Sequence, residues 1–181
     1  MKIAITSDIH LKSIHLKTEQ LPLEHISESD MPNPERFNAL CNILNQMLAE
    51  RMEHIIIAGD LFDANSQDYS IFDLIAGNKK YSEIKFYIIP GNHDPLISNK
   101  YFTSKNVIVF DKPKVMTFEG SNMKFFFIPY IPAMSMGEVI VKYFESNRKE
   151  SFASDSSWVL VGHGDYLTKN TELNMYEKGI Y

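Results

Sequence analysis

A chain of 181 residues, 44% of them hydrophobic, is long enough for one domain with a true core, and we read residues 1–181 as a single domain. Charged residues make up 23% and are spread along the chain, which excludes a disordered protein. The formal net charge of −5 excludes attraction of nucleic acid by overall charge, so any phosphate must be held locally by a metal, a helix N-terminus or a small lysine cluster. The one cysteine, Cys41, excludes an internal disulfide and a cysteine-based zinc site, and its place on the apolar face of a predicted helix gives it a packing role. Met1 and Lys2 run straight into a strand pattern without an apolar leader, and no run approaches the ~20 apolar residues of a membrane span. The expectation is a soluble, cytoplasmic protein with no membrane association.

In chain order, the first element is an apolar run from Ile3 to Thr6. Ser13 to Pro32 follows, long for a connection and holding His15 and His25; segments of that length are surface insertions or mobile lids. Asn33 can cap a helix whose first position suits Pro34 and whose positive end suits Glu35, with Phe37, Leu40, Cys41, Leu44, Met47 and Leu48 as its apolar stripe. A second run, Ile55 to Ala58, a weaker helix from about Tyr69 to Asn78, and a third run, Phe86 to Ile89, complete a β-α-β-α-β order, hence a parallel sheet. After Asp94 the pattern changes. Val107 to Phe110, Lys114 to Phe118 and Met123 to Ile128 read as strands joined by tight turns, one carrying Gly120-Ser121-Asn122, and suggest a second sheet or an antiparallel extension. A helix of about fifteen residues is expected from Ser135, then a fourth run, Trp158 to Val161. The four runs are apolar on successive residues, as suits strands buried on both faces of a parallel sheet.

Each of these four runs ends in polar residues. They are Ser7-Asp8-Ile9-His10, Gly59-Asp60-Leu61-Phe62-Asp63, Pro90-Gly91-Asn92-His93-Asp94 and Gly162-His163-Gly164-Asp165. In a parallel sheet those ends share the C-terminal edge, where open α/β sheets bind ligands. Aspartates, histidines and an asparagine, with no thiolate, suit a hard-to-borderline divalent ion such as manganese, iron or zinc. Two aspartates in one crevice repel unless cations lie between them, and a pair of ions roughly 3.5–4 Å apart is a recurrent arrangement for phosphate ester cleavage. Taken singly, each stretch is equally well a turn, a helix start or a capped strand end; four of them, each directly after a buried strand, are not.

These four stretches, in this order and spacing, resemble the calcineurin-like metallophosphoesterase superfamily across nearly the whole chain. The resemblance implies an α/β fold, a sandwich of two mixed β-sheets flanked by helices, and two bound divalent ions, manganese foremost with iron or zinc as alternatives. It implies that Asp8 and His10 hold the first metal, that Asp60 bridges both, and that Asn92 and His163 hold the second. His93 would face the scissile phosphate as general acid, with Asp63 keeping it oriented and protonated. Ala64 after Asp63, Asp94 at the end of the third stretch, Phe127-Ile128-Pro129-Tyr130 and the His163-Gly164 pair are more similar to the SbcD-type DNA-repair exonucleases than to protein serine/threonine phosphatases. That branch implies DNA as substrate and an ATPase partner subunit. The family's last motif, Gly-His-x-His, has no counterpart, since no histidine follows His163. The expectation is therefore a fold incomplete at its C-terminus, weak metal binding, and an apolar sheet edge open to homodimerisation.

Three functions stay open at this point. One is a metal-dependent DNA nuclease, with Lys79, Lys80, Lys100, Lys105, Lys112 and Lys114 as a candidate rim. The second is a phosphatase of small molecules or proteins. The third is a non-catalytic scaffold subunit with a degenerate site.

Overall fold

The computed structural model describes residues 1–12, 34–64, 69–147 and 157–164. The long segment between the first strand and the first helix, with His15, His25 and the Asn33 cap, lies outside them. Two sheets stack face to face, with helices on their outer faces. The first is wholly parallel, in the order β1 (Ala4–Thr6), β2 (His54–Ala58), β3 (Lys85–Ile89), β4 (Val107–Val109). The second is mixed: β5 (Lys114–Thr117) pairs antiparallel with β6 (Lys124–Ile128), which pairs parallel with β7 (Trp158–Gly162).

Alternation along the strands builds three apolar layers. Ile55 and Ile57 on β2, and Phe86 and Ile88 on β3, face helices α1 (Pro34–Ala49) and α2 (Tyr69–Ala76), where Leu40, Leu44, Met47, Phe72 and Ile75 complete the core. Ile56, Tyr87 and Ile89 point the other way, against Phe125, Phe127 and Val161 of the second sheet. Phe126 and Ile128 face α3 (Met136–Ser146), packing on Val139. Cys41 packs against the first core, and burial pushes its thiol pKa up, as a structural cysteine requires.

Three sequence expectations are corrected. The Trp158 run is not in the parallel sheet but in the second sheet, at its edge beside β6. The signal was present: α3 separates β6 from β7, and a strand–helix–strand unit places the two strands parallel and adjacent. Conversely, Val107 to Phe110 joins the first sheet through β4, beside β3. The connection from β3 to β4 carries only a short 3-10 turn, Asn99–Tyr101, in place of the crossover helix that marks a parallel neighbour. The α3 helix is also shorter than expected. A reciprocal capping box joins Ser135 and Glu138 at its start, and the Asn147 backbone and side-chain N–H groups both donate to the Tyr143 carbonyl at its end. No helix among the described residues is long and apolar enough to cross a membrane.

Asp73 ties α2 to the connection before β4. Its carboxylate accepts from Thr103 N and Ser104 N, each at 2.9 Å, and from the Thr103 hydroxyl. Burial works against the charge, but these hydrogen bonds outweigh it and hold the Asp73 pKa below the ordinary carboxylate value. A folded pKa below the unfolded one gives stability that is present above the unfolded value and lost as pH falls through the folded one. Asp73→Ala is therefore expected to cost about 1–2 kcal/mol at neutral pH. In urea melts the gap from the wild type should close as pH drops below 4; a gap that persists at pH 2.5 contradicts this role.

Candidate metal centre

The site is built on the loops that leave β1, β2 and β3, with the end of β7 crossing over them from the second sheet. Parallel pairing runs past the strand ends. Asp8 N donates to Gly59 O (3.2 Å), His10 N to Asp60 O (2.9 Å) and Leu11 N to Leu61 O (2.8 Å), and Asp63 N returns to Leu11 O (3.0 Å). This extension locks the first two loops side by side. It also bends them: Asp8, His10 and Asp60 have φ of 55°, 50° and 53°, three of the five non-glycine residues with positive φ among the described residues. Such conformations cost roughly 1–3 kcal/mol each and persist where the surroundings over-determine them, as at ligand sites.

Asp94 fixes the third loop. It is fully buried, and its carboxylate accepts from Gly91 N at 2.7 Å and Phe62 N at 3.1 Å. Burial pushes its pKa up, against those two backbone donors. Asp94 thus staples the third loop to the second and brings His93 N within 2.9 Å of Asp60 Oδ1.

Asp60 lies at the centre, 2% exposed. Two glycines leave room for it and its neighbour: a Cβ on Gly91 would overlap the Asp60 carboxylate, and one on Gly59 the His163 ring. Gly91→Ala should therefore displace Asp60 and lower any metal-dependent activity of the site by about 100-fold or more, since a misplacement of ~1 Å costs that much. Wild-type turnover in the Gly91→Ala variant would show that the loop relaxes without moving Asp60.

His163 is oriented from behind. Its Nδ1 meets the Ala58 carbonyl oxygen at 2.9 Å, which directs Nε2 into the crevice, 2.9 Å from Asn92 Oδ1 and 3.3 Å from Asp60 Oδ2. A backbone carbonyl behind a histidine is the usual device for orienting a metal-ligating ring. Burial opposes charge on this imidazole, but the Asp60 carboxylate, the Ala58 carbonyl and Asp8 outweigh burial and push its pKa up to about 9. Asp60 is correspondingly held below the usual carboxylate range, burial being overcome by hydrogen bonds and charge from His163 and His93. His10 Nε2 lies 3.8 Å from the same Asp60 Oδ2, and the His10 and His93 rings meet edge to face at 4.7 Å.

Six of the seven residues expected from sequence thus converge. Their donor atoms fall into two groups, His10–Asp60–His93 and Asp8–Asp60–His163, with ligand atoms within 4.8 Å of one another in each. Asp60 belongs to both, as a bridging carboxylate must. Asp8 falls in the group with His163, which Asn92 joins through its contact to His163. The seventh, Asp63, has its Oδ2 3.6 Å from Lys12 Nζ and 3.9 Å from an Arg36 guanidinium nitrogen. Sequence reasoning missed Arg36, the Ala58 carbonyl and the stapling role of Asp94. Only Arg36 carried a signal, as a cation in the first turn of a helix where the dipole disfavours it. The oxygen and imidazole donors, clustered about one shared carboxylate, fit a pair of divalent cations.

The family model for calcineurin-like phosphoesterases matches residues 1–178, and the chain belongs to that family, whose members are metal-dependent hydrolases of phosphoester bonds. Among solved structures, a Pseudomonas putida nuclease MPE is similar at 20% identity and a TM-score of 0.41, over 72% of this chain and 54% of that one; this chain spans about half of that protein. No curated protein matches the chain.

Proposed function

We propose that the protein is a phosphodiesterase acting on DNA in the manner of the SbcD-type exonucleases, with two divalent ions, manganese foremost. The observation that carries the two-ion reading is Asp60, a single buried carboxylate common to two donor groups. Asp8, Asp60, Asn92 and His163 would hold one ion, and Asp60 and His10 the other. Bound there, such a pair supplies positive charge to phosphoryl oxygens and makes a water acidic enough to serve as nucleophile near neutral pH.

The chain's own residues supply the rest. His93, grouped with His10 and Asp60, protonates the leaving oxygen. The left-handed turns at Asp8, His10 and Asp60 hold the donors ready, so little ordering remains to be done on substrate binding. The Gly-Asp-Leu-Phe-Asp and Gly-Asn-His-Asp stretches favour a nuclease over a protein phosphatase. With a net charge of −5, grip on DNA falls to local contacts and a partner subunit, for which an ATPase is the proposal.

The test is a substrate panel in manganese: bis(p-nitrophenyl) phosphate, p-nitrophenyl phosphate, and single- and double-stranded DNA, each with an EDTA control. Diester and DNA cleavage lost in EDTA supports the proposal. Preference for the monoester makes the protein a phosphatase, and inactivity on all substrates makes it a scaffold.

A further inference from the structure

Arg36 sits in the first turn of α1, at the end of the helix where the dipole disfavours a cation. Something other than helix stability holds it there. One of its guanidinium nitrogens donates to the His10 carbonyl oxygen at 2.9 Å and lies 3.9 Å from Asp63 Oδ2. The same side chain thus touches both of the first two site loops, and it does so at His10, whose φ of 50° is one that L-residues rarely adopt. An exposed ion pair alone would mean little, but the bond to His10 O is partly buried and fixes the peptide that follows the left-handed residue.

We propose that Arg36 is a positioning residue: from α1 it holds the His10 backbone in its left-handed turn and so aims the His10 imidazole at Asp60, with Asp63 as the counter-charge that keeps the guanidinium in place. The inference rests on the two-ion reading and adds to it a control on one ion only. Arg36 lies against His10, whereas His163 is set from β7 by the Ala58 carbonyl and meets Asn92 in the other donor group. Lys12, on the same Asp63 oxygen, has no such bond to His10 and is the natural comparison.

The test is calorimetric titration of the full chain with manganese, for the wild type, Arg36→Met, Arg36→Lys and Lys12→Met, with a thermal melt of each metal-free protein. Arg36→Met keeps the apolar stem and removes the guanidinium. It should weaken one of the two ions by about 10–100-fold, the usual cost of losing a group that orients a ligand, and leave the other within about threefold. Arg36→Lys, still able to donate to His10 O, should recover part of the loss, and Lys12→Met should bind both ions as the wild type does. Wild-type affinity for both ions in Arg36→Met overturns the inference. So does an equal loss at both ions together with a lowered melting temperature, which marks a purely structural role. A wild-type chain that binds fewer than two ions overturns the two-ion reading and this inference with it.

Discussion

Replacing Asp60 with asparagine should reduce diester hydrolysis to background, a loss on the order of 10³–10⁴-fold or more. Asparagine is nearly isosteric, and its amide oxygen can still accept from His93 N, the 2.9 Å bond that seats the third loop. The fold is therefore expected to survive. What disappears is the charge at the one position common to both donor groups. Without it His10 and His163 both meet a neutral amide, and the two donor groups lose their shared anion. Losing the several kcal/mol by which paired cations stabilise phosphoryl charge corresponds to that range in rate. Steady-state hydrolysis of bis(p-nitrophenyl) phosphate in saturating manganese measures it, with circular dichroism to show that the variant folds. A variant retaining a tenth of wild-type turnover would mean that Asp60 holds no ion needed for the reaction.

Replacing His93 with alanine should lower turnover by about 10²–10⁴-fold, the usual contribution of a general acid, with two ions still bound. The position of His93 makes this a sharp test. Its ring groups with His10 and Asp60, so by distance alone it is as eligible to be a ligand as an acid. The two roles differ in what else changes. Loss of an acid falls hardest on substrates with a poor leaving group, so DNA cleavage should drop further than hydrolysis of a p-nitrophenyl diester. Loss of a ligand removes an ion and slows both substrates alike. Equal slowing with one ion lost would reassign His93 to the metal.

Most of the site was legible in the sequence because its donors follow directly on apolar strands, and a strand's end is a local property. The pairing of those strands is not. Trp158 to Val161 has the same apolar signature as Ile55 to Ala58, yet one lies at an edge of the second sheet and the other at the centre of the first. His163 reaches the crevice all the same, because the second sheet stacks so that Val161 packs in the layer shared with Ile56 and Ile89. β4 was misplaced because its crossover has no helix to announce it. The supporting groups were hidden for another reason. Asp94 reads as one more polar turn residue until its burial and its two backbone donors are seen, and the Ala58 carbonyl has no sequence signature at all. The left-handed turns at Asp8 and His10 were equally invisible, since no glycine marks either position.

A two-ion centre bridged by Asp60 has a direct readout in manganese stoichiometry. Titration of the metal-free chain, followed by calorimetry and by electron paramagnetic resonance, should show two ions bound per chain. Their spins should couple, as expected of neighbours sharing one carboxylate, and the coupling should be lost in Asp60→Asn. One isolated ion, no binding at all, or two uncoupled ions indifferent to Asp60→Asn would contradict the account.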